Sequence, residues 1–124
     1  MEFQKDNSFF RGRLKSVSFA VKGAVKLITT EHSIMVQFFL SLLMTIIGFL
    51  MHITTTEWLF QTLAIGLVLS IEGINTAVEK IADFIHPNFD ERIGFIKDIA
   101  AGAVLFAAFT AIAIGLIIYV PKFL

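Results

Sequence analysis

The chain has 124 residues, of which 56% are hydrophobic and only 16% charged, with a mean hydropathy of +0.82 and a formal charge of zero. Such a composition lies far from that of a soluble domain and predicts a single integral membrane domain spanning residues 1–124. The balanced charge argues against a nucleic-acid partner, and with no cysteine there is no disulfide framework, thiolate metal site or sulfur nucleophile.

In the N-terminal stretch FFRGRLKSVSFAVKGAVKLI, Phe10, Leu14, Val17, Val21, Ala24 and Ile28 recur at three- and four-residue steps. Arg11, Arg13, Lys15, Lys22 and Lys26 take much of the remaining surface. The pattern predicts an amphipathic helix over about residues 9–30, lying in the membrane interface with its apolar side toward the acyl chains. A helix that docks on a partner protein is the alternative.

Three apolar stretches follow, each close to the roughly 20 residues needed to cross a bilayer. They cover about residues 34–51 (IMVQFFLSLLMTIIGFLM), 58–85 (opening WLFQTLAIGLVLSI) and 98–120. The first follows a charged segment and lacks a small-residue cleavage site, so a removable signal peptide is not expected. The fold class predicted is therefore all-α and integral to the membrane, with three transmembrane helices preceded by an interfacial one.

Lys5, Arg11, Arg13, Lys15, Lys22 and Lys26 precede the first span, the HITTTE turn has no basic residue, and Lys80, Arg92 and Lys97 lie between the second and third. The excess of basic residues predicts a cytoplasmic N-terminus and second loop, with the C-terminus outside. Trp58 and Tyr119 then fall where aromatic belt residues belong.

Counted from Trp58 at 1.5 Å per residue, Glu72 lies about 21 Å into a hydrocarbon layer of about 30 Å. Glu72, Asn75, Glu79 and Asp83 fall within about 80° of one another on a helix, a polar stripe climbing from lipid to cytosol. Ionisable groups inside a membrane are costly and mark function by default. That argument is strongest for Glu72; Glu79 and Asp83 have the alternative of a solvated helix end, and Asn75 that of interhelical glue. Lys97 and Asp98 open the third span, where the helix dipole alone explains Asp98. Glu31, in TTEHS, has a similarly plain reading beside an N-cap. In the third span Ala103, Ala107, Ala111 and Gly115 repeat every fourth residue, a small-residue stripe suited to close helix packing.

Carboxylates at this depth suit phosphoryl transfer: acids hold Mg²⁺ against nucleotide phosphates, a lysine neutralises phosphate charge, and a desolvated glutamate takes a proton from a hydroxyl. No G-x-x-x-x-G-K-[ST] loop or protein-kinase signature is present. A non-catalytic membrane subunit or a small cation or proton transporter is the alternative from another class.

The run EGINTAVEKIADFIH, followed by IKDIAAGAVL, closely resembles the signature of the small prokaryotic diacylglycerol kinase family, membrane lipid kinases that include undecaprenol kinases. Lys22, Gly23 and Glu31 extend the likeness into the amphipathic region. The resemblance implies that Glu72 is the catalytic base and that Glu31 and Glu79 hold Mg²⁺, with ATP as phosphoryl donor. Asn75, Glu79, Asn88, Phe89, Asp90, Lys97 and Asp98 would then bind or border the nucleotide. Gly12 stands where the family has an arginine; Arg11 and Arg13 flank it and, with Lys22, are candidates for phosphate or lipid contact. The acceptor implied is a membrane lipid alcohol, diacylglycerol or undecaprenol. The setting is the bacterial inner membrane, and the assembly a homotrimer with sites at subunit boundaries.

Overall fold

Four helices follow one another with short connections: α1 (Phe9–Thr30), α2 (His32–Leu50), α3 (Thr55–Ile85) and α4 (Glu91–Phe123). The computed structural model describes residues 9–124, so Lys5 lies outside the described residues. α2, α3 and α4 are each long and apolar enough to cross a membrane. At 31 and 33 residues, α3 and α4 are about 46 and 50 Å long and exceed the hydrocarbon thickness. α4 starts at Glu91, ahead of its apolar run, so Lys97 and Asp98 stand on a helix in register with α3.

α1 and α2 are separated by one extended residue, Glu31 (φ −106°, ψ 115°). Ahead of it, the hydroxyls of Thr29 and Thr30 donate back to the carbonyls of Val25 (2.7 Å) and Lys26 (2.5 Å), a local competition that weakens a helix end. No residue of α1 is buried. Its apolar stripe (Phe10, Leu14, Val17, Val21) and its basic residues both face outward, as an interfacial helix requires.

α2 ends in a Schellman turn: His52 N–H donates to Phe49 O (3.3 Å) and Ile53 N–H to Gly48 O (3.2 Å), with His52 at φ 51°. α3 begins at once with a capping box. Thr54 Oγ1 accepts from Glu57 N–H (3.1 Å), and Glu57 Oε1 accepts from Thr54 N–H (2.9 Å). Lys122, near the end of α4, donates to the same carboxylate at 3.1 Å. Tyr119 OH donates to Gln61 Oε1, while Gln61 Nε2 donates to Met44 O at 3.1 Å. One glutamine thus ties α2, α3 and α4 together, and Tyr119 is a buried interhelical latch rather than a belt residue. Around it Ile53, Ile118 and Tyr119 form a small core with Met44, Ile47, Met51, Trp58 and Ile114.

α4 packs along α3 more extensively than α2 does. Of the small-residue stripe, Ala107 is buried and Ala111 and Gly115 border a cavity of about 130 Å³ that also touches Gln37, Ser41 and Gln61. Ala103 faces outward, so the close approach begins one turn later than the repeat suggests. No carboxylate lines that cavity, and the candidate chemistry lies elsewhere.

Candidate active site where α3 meets α4

Along α3, Gln61, Ala64, Val68, Glu72 and Thr76 are buried at three- and four-residue steps. Glu72 is therefore part of the packed face and not of the lipid surface. It is 9% exposed. Thr76 Oγ1 donates to the Glu72 main-chain carbonyl (3.1 Å), and among the described residues no hydrogen bond or ion pair engages the Glu72 carboxylate. One residue on, Gly73 gives passage to α1: a Cβ there would stand 3.2 Å from Leu27 Cδ1.

The stripe becomes wetter toward the end of α3. Asn75 is half-buried, Glu79 and Asp83 exposed. Asn75 Nδ2 donates to Glu79 Oε1 (3.0 Å), which leaves Asn75 Oδ1 a buried acceptor without a hydrogen-bond partner among the described residues. Such an atom is costly to leave unmet. Across the gap, Lys97 Nζ of α4 donates to Asp83 Oδ1 at 2.6 Å. Glu31 arrives from the α1–α2 break. It is the N-cap of α2, yet its side chain makes no capping bond; the carboxylate instead pairs with Lys80 Nζ at 3.1 Å. The plain N-cap reading of Glu31 therefore does not account for its side chain.

The connection HPNFD joins the end of α3 to the start of α4. α3 stops at His86 before Pro87, as a residue preceding proline should, and His86 Nδ1 lies 2.7 Å from Asn88 O. Asp90 caps α4, accepting from Arg92 N–H (2.8 Å) and facing Arg92 Nε at 3.4 Å. Those two bonds from Arg92, side chain first, hold its carboxyl below the usual aspartate range. Ile85, His86, Asp90, Arg92 and Ile93 line a cavity of about 300 Å³. Asn88 and Phe89 project outward, Phe89 at 89% exposure, and Asp98 is exposed on α4.

The basic residues of α1 are spread out. Arg13 lies over the Phe9 ring (5.0 Å) and Lys22 over the Phe19 ring (5.8 Å), while Arg11 is exposed. Among the described residues no three of His, Asp or Glu are grouped so as to hold a metal ion.

Glu72, Asn75 and Glu79 on α3 and Lys97 on α4 belong to the runs EGINTAVEK and IKD, and the family comparison decides what the chain is: the sequence model of prokaryotic diacylglycerol kinase matches residues 18–119. The chain belongs to the prokaryotic diacylglycerol kinase family. It is 34% identical to the undecaprenol kinase of Bacillus subtilis (strain 168) over 116 residues, covering 94% of this chain and 91% of that one. It is 29% identical to a diacylglycerol kinase of Synechocystis over 112 residues, covering 90% of this chain and 64% of that one. As a member of this lipid kinase family with three membrane-crossing helices, it is a bacterial membrane enzyme. The reading as a non-catalytic subunit or transporter is set aside. Two ion pairs beside these residues escaped the sequence reading: that of Asp83 with Lys97 and that of Lys80 with Glu31. The charges of Asp83 and Lys80 were visible on α3, but nothing local to them says which cation or carboxylate stands opposite.

Proposed function

We propose that residues 1–124 form one lipid-kinase domain that transfers the γ-phosphoryl group of ATP to the hydroxyl of a membrane lipid, undecaprenol in preference to diacylglycerol. The observation that carries this reading is Glu72: a buried residue whose carboxylate has no hydrogen-bond or ion-pair partner among the described residues, at the inner end of a polar stripe that opens toward solvent.

Glu72 takes the proton from the lipid hydroxyl as the oxygen attacks phosphorus, and burial among helices keeps competing water away. Lys97, steadied by Asp83, meets phosphate charge. Asn75 keeps Glu79 oriented through its amide. His86 to Asp90 border the nucleotide beside the cavity at the start of α4, and Asp98 supports that edge. Arg11, Arg13 and Lys22 meet phosphate or lipid head groups from the interface. The donors suit Mg²⁺: Glu31, Glu79 and the orphaned Asn75 Oδ1 are hard oxygens, and an ammonium already stands against Glu31. Glu31 and Glu79 would hold the ion, which when bound neutralises charge on the transferring phosphoryl group. Among the described residues no third carboxylate or histidine joins them, so a bound Mg²⁺ would draw its remaining ligands from phosphates and water, as is usual for this ion.

The choice of acceptor rests on the relatives: the Bacillus protein named as an undecaprenol kinase aligns nearly end to end, the Synechocystis diacylglycerol kinase over only part of its length. We place the N-terminus in the cytoplasm, the C-terminus outside the inner membrane, and the working enzyme as a homotrimer. Purified protein in lipid bicelles with Mg²⁺ and ATP should release ADP with undecaprenol faster than with diacylglycerol or ceramide. Turnover with diacylglycerol above undecaprenol reverses the acceptor assignment; no ATP consumption with any lipid alcohol sinks the reading.

A further inference from the structure

Lys80 lies outside the proposed phosphotransfer machinery, yet it reaches the one carboxylate of that machinery contributed by another helix junction. We propose that Lys80 is a resident counter-cation: its ammonium occupies Glu31 and must be displaced by a divalent ion, so Lys80 weakens binding of the bare ion and confines tight binding to the nucleotide complex. The inference rests on the reading of Glu31 and Glu79 as metal ligands.

The two partners differ in freedom. Glu31 sits at the extended break between α1 and α2, its side chain 24% exposed, while the Lys80 side chain is 68% exposed. The backbone that carries Glu31 is brought to α3 by the packing of Leu27 on Gly73; the ammonium rides on a flexible stem with open solvent around it. An exposed pair of this kind is weak and exchangeable. It is still a competitor, because an incoming cation must replace an interaction that already neutralises Glu31.

Charge balance gives the second half of the argument. Lys80 and Glu31 together are neutral, and a divalent ion placed on Glu31 with Lys80 still beside it leaves excess positive charge. Counting Glu79 as the ion's other carboxylate still leaves one positive charge over, and Asp83, the next carboxylate along α3, is already occupied by Lys97. A nucleotide does remove it. Its phosphates neutralise the ion and offer the released ammonium new acceptors. Displacement of Lys80 is thereby offset when nucleotide arrives and not when the metal arrives alone.

The test is Mn²⁺ binding, read from the free-ion electron paramagnetic resonance signal of the full chain in detergent, with and without a non-hydrolysable ATP analogue. Without analogue, Lys80→Met should tighten Mn²⁺ binding about two- to fivefold, the range expected from an exposed ion pair, and Lys80→Arg should stay near wild type. The gap should narrow at high salt and close when the analogue is present. If Glu31→Ala abolishes binding but Lys80→Met leaves the affinity unchanged or weaker, Lys80 does not compete and the inference is wrong while the metal ligands stand. If Mn²⁺ binding is indifferent to Glu31→Ala with and without analogue, the metal-ligand reading fails and this inference fails with it.

Discussion

A lysine that must meet phosphate from a helix loses rotamer freedom on binding, and a carboxylate that holds it beforehand reduces that loss. In the proposed mechanism Asp83, 2.6 Å from Lys97 Nζ, does this, whereas Glu72 handles a proton. The two roles separate kinetically. Asp83→Asn should raise KM for ATP roughly three- to tenfold with kcat nearly unchanged, and Asp83→Glu should recover part of the loss. Glu72→Gln should abolish turnover while analogue binding persists. Equal loss of nucleotide affinity in both variants, measured by calorimetry, contradicts this division. The stripe itself was legible from the sequence, because the 3.6-residue period alone puts Glu72, Asn75, Glu79 and Asp83 on one face. Which side of the bundle that face meets was not. The Asp83–Lys97 pair depends on the angle at which HPNFD returns the chain, and the Lys80–Glu31 pair on a helix break more than forty positions earlier in the sequence.

The connection between α2 and α3 shows the same split between local and non-local information. Thr54 and Glu57 carry the Thr-x-x-Glu spacing of a capping box, so the start of α3 at Thr55, ahead of Trp58, was readable. The left-handed His52 was not, since glycine or asparagine is the residue that advertises such a position. Nor was the function of Gly48: a Cβ there would lie 2.8 Å from Trp58 Cη2 and 3.1 Å from Ile53 Cδ1. Gly48→Ala should cost about 1–3 kcal/mol as an overpacking change, seen as a lower midpoint of denaturation in detergent, with Trp58→Leu in the same chain restoring part of it. An unchanged midpoint would show that Trp58 moves aside freely. At the other end of the bundle, Asp90 holds the first turn of α4 through Arg92. Its carboxyl is lowered in the folded chain, so the cap contributes fully above the free aspartate value and is lost as pH falls through the depressed one. The Arg92 amide resonance should therefore titrate with a midpoint below that of a free aspartate; a midpoint at or above the free value means the bond is not kept in solution.

On the scale of the whole molecule, hydropathy specified three spans and an interfacial helix, while the thinness of the core was not foreseeable. Among the described residues no large side chain is fully buried, and apolar faces of all three spans remain exposed, to be covered by lipid or by further copies of the chain. Orientation is tested simply because the chain has no cysteine: in intact cells an impermeant thiol reagent should label Thr55→Cys and spare Glu91→Cys, and the reverse pattern inverts the topology. Assembly calls for a sharper experiment. Glu31 pairs with Lys80 and Leu27 packs on Gly73 within one chain, which sets Glu31 beside the same α3 that carries Glu72. Lys80 is eight residues from Glu72, about 12 Å along the helix, close enough for both ends of a nucleotide triphosphate and its acceptor to be served by one copy. If sites in a trimer were divided between subunits at this pair, Glu31→Ala and Glu72→Gln chains would restore each other, because some mixed sites would receive both intact residues. The within-chain contacts lead to the opposite expectation. After the two variants are dissociated in detergent and co-assembled, with exchange verified by crosslinking, lipid phosphorylation should remain at the parental background. Activity well above either parent would mean that Glu31 serves a neighbouring chain's Glu72, and the site would then belong to the subunit boundary.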